Sequence, residues 1–290
     1  MKYDQVVGFV NEILSQYRMP LTLRQIFYRL VSNYSYPNKK SSYNQLSKQL
    51  VKAREKGHSD DNRIEDRSRT FLGGDNGFDS PEGFLKHQIS RFMASPELYS
   101  RKLWTSQPEF VIVWIEKDAL SRVVFNIADT YNVVTAPSRG YASYTYIKKA
   151  IERFPDNNQI IVLHFADHDP SGLDMTRDLQ DRFNSYSSRE VTVERIALSH
   201  DQVQRYDLAP NPTKTLDPRY QSYVSEFGNE CWELDAIEPN ELQRLVDGAI
   251  LKHIDAKIWN NTITKQKEER QKLEKIFSGI GKKFQEMNLL

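Results

Sequence analysis

Apolar side chains in the first third of the chain recur every three or four residues, the spacing of amphipathic helices. This spacing predicts helices over residues 3–17, in PLTLRQIFYRLVSN and in SSYNQLSKQLVKAREKG. Thr22, followed three residues later by Gln25, has the signature of a capping box and marks the start of the second helix. A polar, glycine-rich loop or wing is predicted over residues 57–83, and a further helix follows it. The first third of the chain is therefore predicted to be mainly helical.

The third of these helices is cationic, because Lys48, Lys52 and Arg54 lie outside its apolar stripe and are left to solvent. A short cationic helix in third place matches the helix-turn-helix plan, in which a recognition helix enters the major groove of DNA. An ordinary three-helix bundle with a lysine-rich face has the same pattern. Both interpretations stay open on this segment alone.

The second part of the chain alternates apolar strands with amphipathic helices. Strands are predicted in PEFVIVWIE, NVVTAPS, QIIVLHFAD and EVTVERIALS, with helices in the segments between them. This order predicts an α/β fold with a mostly parallel sheet covered by helices. A boundary near Pro108 gives a helical domain over residues 1–105 and a sheet domain with a C-terminal helical extension over 106–290. The chain is predicted to be irregular from Leu198 to about Asn229 and helical after that.

Composition and charge narrow the class of protein. No apolar run approaches the ~20 residues of a membrane-spanning helix, so no membrane association is expected. Cys231 is the only cysteine, which excludes a disulfide framework and a cysteine zinc site and fits a reducing cytoplasm. Residues 1–56 hold ten Lys and Arg against three Asp and Glu. Such a basic module indicates a polyanionic partner, although solvated helix faces are often lysine-rich as well.

Carboxylates follow two of the predicted strands at the point where each strand ends. Asp167 and Asp169 end the apolar run IIVLHFADHDPSG, and Glu116 follows the strand before it in the sheet. In a parallel sheet these ends meet at one edge, where ligands bind. Three acids there repel one another unless a cation lies among them. Mg²⁺, or Mn²⁺ in its place, suits such oxygen ligands.

These acids have two other interpretations. The segment nearly spells an EF-hand loop, but a strand precedes it where an EF-hand requires a helix. Alternatively the acids cap the helix that starts near Ser171, which suits Asp169 but leaves Asp167 and Glu116 unexplained. His164 and His168 are four residues apart in a strand-to-loop segment, a spacing that does not bring them together as a zinc pair.

Four segments in order, FVIVWIEKDAL, PSRGYAS, LHFADHDPSGLDM and WELDAIEPNEL, resemble the Toprim domain of the topoisomerase VI A subunit and its meiotic double-strand-break relatives. The upstream TLRQIFYRLVS resembles the winged-helix segment of that family, which carries its DNA-linking tyrosine. The resemblance covers residues from about 20 to about 250. It implies a winged-helix-like domain followed by a Rossmann-like Toprim domain, in which Glu116, Asp167 and Asp169 hold Mg²⁺. The chain is shorter than typical A subunits and is closest in plan to compact prokaryotic or phage relatives.

The resemblance also implies a reaction. Tyr28 would attack a DNA phosphodiester and stay linked to the 5′ phosphate, with Arg24 and Glu116 in catalytic roles. Arg24 lies four residues before Tyr28 on the predicted helix, where it would lower the pKa of the tyrosine or grip the phosphate. Because the tyrosine of one subunit meets the Toprim site of another in this family, a homodimer is expected. Topoisomerases are isomerases. Strand passage by an enzyme of this type would need a separate ATPase subunit.

Further contacts to double-stranded DNA are expected from Lys117, Arg139 and the cationic helix with Lys48, Lys52 and Arg54. A cytoplasmic, nucleoid-associated protein is expected. Two functions compete with transesterification: a Toprim nuclease that cuts DNA with metal-activated water, and a non-catalytic DNA-binding subunit whose acids are vestigial. The nuclease differs from the leading hypothesis in its nucleophile, which is water and not a tyrosine. The DNA-binding subunit differs from both in that it does not cleave DNA.

Overall fold

A computed structural model describes residues 1–65, 77–156 and 159–287. The described residues form two compact units, the first from Met1–Arg69 with Glu109–His253 and the second from Thr70–Pro108 with Ile254–Leu290. The break at Pro108 lies close to the predicted boundary, but both units combine separate parts of the chain. The division into residues 1–105 and 106–290 stays a prediction.

The N-terminal part of the first unit is helical, as its apolar spacing predicts. Its elements are α1 (Tyr3–Ser15), β1 (Leu21–Thr22), α2 (Leu23–Tyr34), α3 (Lys40–Glu55) and β2 (Ile64–Glu65). Thr22 and Gln25 form the predicted capping box at the start of α2. The short strands β1 and β2 pair in parallel. Residues 66–76 of the predicted loop or wing lie outside the described residues.

The rest of the first unit is built on a parallel sheet. Its elements are β3 (Glu109–Ile115), α5 (Ser121–Ala128), β4 (Val134–Pro137), α6 (Tyr144–Ile151), β5 (Gln159–Phe165), α7 (Pro170–Tyr186), β6 (Val191–Ala197), α8 (His200–Arg205), β7 (Asn211–Pro212), α9 (Tyr220–Phe227), β8 (Glu230–Cys231) and α10 (Pro239–Leu251). The strand order is β4-β3-β5-β6, and every pair in this sheet is parallel. The predicted α/β class with a parallel sheet is confirmed.

The sheet core is apolar on the face that the helices α6 and α7 cover. Trp114, Val162 and Phe183 are fully buried there and pack with neighbouring aromatic side chains. The strands are therefore fixed by burial on that face, and their carboxyl ends are held in register at one edge. In the second unit, α4 (Pro81–Ala94) packs against α11 (Ala256–Glu286), for example through Phe92 and Phe277.

The prediction was wrong in two places. The segment between Leu198 and Asn229 holds α8 and α9, which are too short to show a helical period in the sequence. The part predicted to be helical after Asn229 is divided into two helices: α10 ends at Leu251, and α11 begins at Ala256, where Asp255 accepts hydrogen bonds from the backbone of Lys257 and Ile258. Among the described helices, none combines the length and the apolar character that crossing a membrane requires.

Candidate functional site

Glu116 and Asp167 meet at the carboxyl edge of the sheet. Glu116 follows β3 directly and donates its backbone N–H to the carbonyl of Phe165 at 2.9 Å, which prolongs the pairing with β5. The backbone N–H of Asp167 then donates to Oε2 of Glu116 at 3.1 Å. Two of the three predicted metal ligands are therefore in direct contact.

Lys117 provides a positive charge between these two acids. Its Nζ lies 2.5 Å from Oδ2 of Asp167 and 3.9 Å from Oε1 of Glu116. Burial alone would lower the pKa of Lys117, but the charges of Asp167 and Glu116 outweigh it and raise that pKa. Burial and the charge of Asp167 raise the pKa of Glu116 to about 7. The ammonium group of Lys117 therefore provides a positive charge close to both carboxylates.

The third predicted ligand, Asp169, is the N-cap of α7. Its Oδ1 accepts from the backbone N–H of Gly172 at 2.6 Å and from the hydroxyl of Ser171 at 2.9 Å. This is the capping alternative drawn from the sequence, and it accounts for Asp169 alone. Asp167 takes no part in the cap and faces Lys117 instead.

A half-buried arginine that the sequence did not single out holds the backbone of this loop. Arg195 on β6 donates to the carbonyl of Asp167 at 2.6 Å and to that of Ala166 at 3.3 Å. It also donates to the carbonyl of Gly172 at 2.8 Å. A guanidinium whose donors are spread over carbonyls on both sides of Asp167 fixes the direction of that residue. The charged pair Glu194 and Arg195 inside the strand β6 was the signal for it.

The turn Leu234–Ala236 forms a second part of the site that the sequence did not assign. The backbone N–H of Leu234 donates to Oδ1 of Asp167 at 2.9 Å, and Arg29 donates to the carbonyl of Ala236 at 2.5 Å. Asp235, between them, is 2% exposed, and neither of its carboxylate oxygens has a hydrogen-bond partner among the described residues. Burial raises its pKa to about 7, against the opposing charge of Lys117. An acid between the apolar residues Leu234 and Ala236 was the available signal.

Tyr28 lies in the same compact unit as the sheet and is 2% exposed. Its hydroxyl accepts a hydrogen bond from the side-chain amide of Asn211 at 2.7 Å. Burial, followed by the charge of Glu233, raises the pKa of Tyr28. Arg24 lowers it as expected but is outweighed, since its guanidinium is paired with Glu233 at 2.7 Å. Arg24 therefore acts on the pKa of Tyr28 in the predicted direction, but burial and Glu233 leave the net pKa of the tyrosine raised.

The remaining predicted contact residues fall into two groups. Lys48 and Lys52 are exposed on α3. Arg54 and Arg139 line a cavity of about 890 Å³, together with other residues of the site, Arg24, Glu116, Lys117 and Asp235. Arg139 is highly exposed and pairs with Asp118 at 2.9 Å. The cavity therefore brings the acid edge and several cationic side chains to one surface.

The side chains suit a divalent cation only in part. Within residues 1–65, 77–156 and 159–287, no group of three or more His, Cys, Asp and Glu is arranged to hold a metal ion. Two carboxylates with one ammonium group near both fit a cation such as Mg²⁺, which typically takes one or two carboxylates and completes its shell with water and phosphate oxygens. Glu116 and Asp167 are the residues that would hold it.

Compared with models of known protein families, the chain matches none, and no curated protein is significantly similar to it in sequence. The resemblance to the topoisomerase VI A subunit rests on its motifs and their placement, and it stays a prediction.

Proposed function

We propose that this protein is a Mg²⁺-dependent DNA-cleaving enzyme of the topoisomerase VI A type, with a winged-helix-like N-terminal part and a Toprim-like sheet. The observation that carries the proposal is the contact of Glu116 with Asp167 at the carboxyl edge of a parallel sheet. Acids are costly at such depth, and a site for phosphate-bound Mg²⁺ gives them a use.

The residues of the site divide the work of phosphodiester cleavage. When bound, Mg²⁺ would neutralise charge on the phosphate and the leaving oxygen, and Glu116 and Asp167 would hold it. Arg195 keeps Asp167 oriented. Lys117 would turn from the carboxylates to the phosphate, which is the predicted DNA contact of this residue. Lys48 and Lys52 add salt-dependent contacts to the DNA backbone.

Tyr28 is the proposed nucleophile. Its oxygen would form a bond to the 5′ phosphorus while the 3′ oxygen leaves and takes up a proton. A raised pKa keeps the hydroxyl protonated in the described state. Transesterification therefore requires that the DNA complex expose Tyr28 and bring positive charge to it.

A hydrolytic nuclease is the second candidate, and the burial of Tyr28 favours it. A side chain that is 2% exposed and held by Asn211 does not reach a DNA backbone without local rearrangement. Water needs no such movement. The acid site is shared by both candidates, and only the nucleophile differs.

Cleavage of supercoiled plasmid in Mg²⁺ tests both the cleavage activity and the proposed metal site. The wild-type protein should nick or linearise plasmid, and Asp167→Asn should reduce the rate at least about 100-fold because a direct ligand is lost. Asp181→Asn is the control, since Asp181 lies on α7 in an exposed pair with Arg177. Unchanged cleavage by Asp167→Asn would contradict the metal site, and no cleavage by the wild-type protein would favour a non-catalytic DNA-binding subunit.

The same assay, run with 5′-end analysis after protease digestion, identifies the nucleophile. Transesterification leaves peptide on 5′ ends and is lost in Tyr28→Phe. Tyr36→Phe is a matched control, because Tyr36 is also buried and packs edge-on against Phe27 as Tyr28 does. Free 5′ ends and full activity in Tyr28→Phe would select hydrolysis.

A further inference from the structure

We propose that Asp235 belongs to the cation site and holds the divalent ion through its water shell, beside the direct ligands Glu116 and Asp167. This inference rests on the cation site of the proposed function. Asp235 lies outside the acid pattern after the strands, and its role follows from its place in the fold.

The turn that carries Asp235 is fixed to the site from two sides. Leu234 donates its backbone N–H to the carboxylate of Asp167, and the carbonyl of Ala236 accepts from Arg29 on α2. Asp235 therefore stands one residue from a direct hydrogen bond to the proposed ligand. It lines the same cavity as Glu116 and Lys117.

The carboxylate of Asp235 lacks partners of its own. Both oxygens are buried and accept no hydrogen bond from the described residues. An unpaired buried carboxylate costs several kcal/mol, so such a group is retained where a ligand satisfies it. Its neighbour Glu233 differs in having an ion-pair partner, because Nε of Arg24 lies 2.7 Å from its Oε2, although that oxygen also lacks a well-directed hydrogen bond.

The chemistry of the side chains indicates what that ligand is. Glu116, Asp167 and Asp235 offer carboxylate oxygens, and Mg²⁺ prefers such oxygens both as direct ligands and as acceptors for its bound waters. The absence of a ready three-acid cage among the described residues agrees with a role through water, since Mg²⁺ keeps several waters and its water molecules donate hydrogen bonds to nearby carboxylates.

Mn²⁺ binding, measured by electron paramagnetic resonance on the full chain without DNA, tests this role. Asp235→Asn keeps the shape of the side chain and should weaken Mn²⁺ binding at least about tenfold, the range for loss of an outer-shell partner. Glu233→Gln is the matched control: it removes one negative charge from the same segment, but a charge that is paired with Arg24, and it should weaken binding less than about threefold. The thermal midpoint of Asp235→Asn in EDTA should be equal to or above that of the wild type, because an unpaired buried acid is removed.

Two results would overturn the inference. If Asp235→Asn binds Mn²⁺ as tightly as the wild type, Asp235 is not part of the site. If Asp235→Asn and Glu233→Gln weaken Mn²⁺ binding equally, Asp235 acts only through its long-range charge. If Asp235→Asn does not fold, Asp235→Ser carries the same comparison. Failure of the proposed function gives a different result. If Mn²⁺ binding depends on Asp235 but plasmid is not cleaved, the inference about Asp235 still holds. If the wild-type protein binds no Mn²⁺, both the inference and the proposed cation site are contradicted.

Discussion

Asp167 and Asp169 are two residues apart and have different surroundings. Asp167 is buried, pairs with Lys117 and accepts from Leu234. Asp169 is half-buried and gives one oxygen to the first turn of α7. An acid pair after a strand therefore serves two purposes, one electrostatic and one conformational, and substitutions at Asp169 mix them.

Two substitutions of Asp169 separate these purposes. Asp169→Ala removes the N-cap and should lower the free energy of unfolding by about 1 kcal/mol, whereas Asp169→Asn keeps an equivalent cap and should change it by a few tenths. Urea unfolding followed by tryptophan fluorescence measures the difference. Equal losses for both variants would mean that the carboxylate charge, and not the cap, stabilises this turn.

The loop between β5 and α7 is the element that sets the acid edge. Arg195 binds carbonyls on both sides of Asp167, and Gly172 lies against the carbonyl of Asp167. A Cβ at residue 172 would come closer to that carbonyl than real Cβ contacts do, so the tight packing needs glycine. The element is preorganised by backbone contacts as well as by its charged side chains.

Gly172→Ala should therefore disturb the loop although alanine is the better helix former. We expect a loss of about 1–3 kcal/mol in unfolding free energy from overpacking, with weakened Mn²⁺ binding as Asp167 is displaced. Gly248→Ala in α10 is the matched control, because a Cβ there meets no atom within 4 Å. That variant should be stabilised by about 0.5–1 kcal/mol. A Gly172→Ala protein as stable as the wild type would contradict the packing argument.

Local sequence pattern accounts for the sheet and for the acids at its edge. β3 and β5 are continuous apolar runs rich in β-branched residues, and Glu116 and Asp167 follow within two residues of their ends, so parallel pairing places them together. Asp235 and Arg195 join the site through contacts that span 67 and 28 residues of chain, from Leu234 and from Arg195 to Asp167. No local period encodes such contacts, which is why the sequence did not assign these two residues.

At the scale of the whole molecule, the helix of Tyr28 and the acid edge lie in one compact unit. Asn211 binds the Tyr28 hydroxyl, and Arg29 of the same helix binds the turn of Asp235. In the proposed homodimer, a tyrosine that acts on DNA at the partner's acids has to exchange these contacts for new ones. The helix of the proposed nucleophile is therefore in direct contact with the turn Leu234–Ala236 beside the proposed cation site.

The most direct test of the account is anomalous diffraction from a crystal soaked in Mn²⁺. The account predicts a single strong peak at the carboxyl edge of β3 and β5, within coordination distance of Glu116 and Asp167, with Lys117 displaced and Asp235 facing the water shell of the ion. A Mn²⁺-saturated crystal in which Lys117 still bridges the two acids, with no peak beside them, would contradict it.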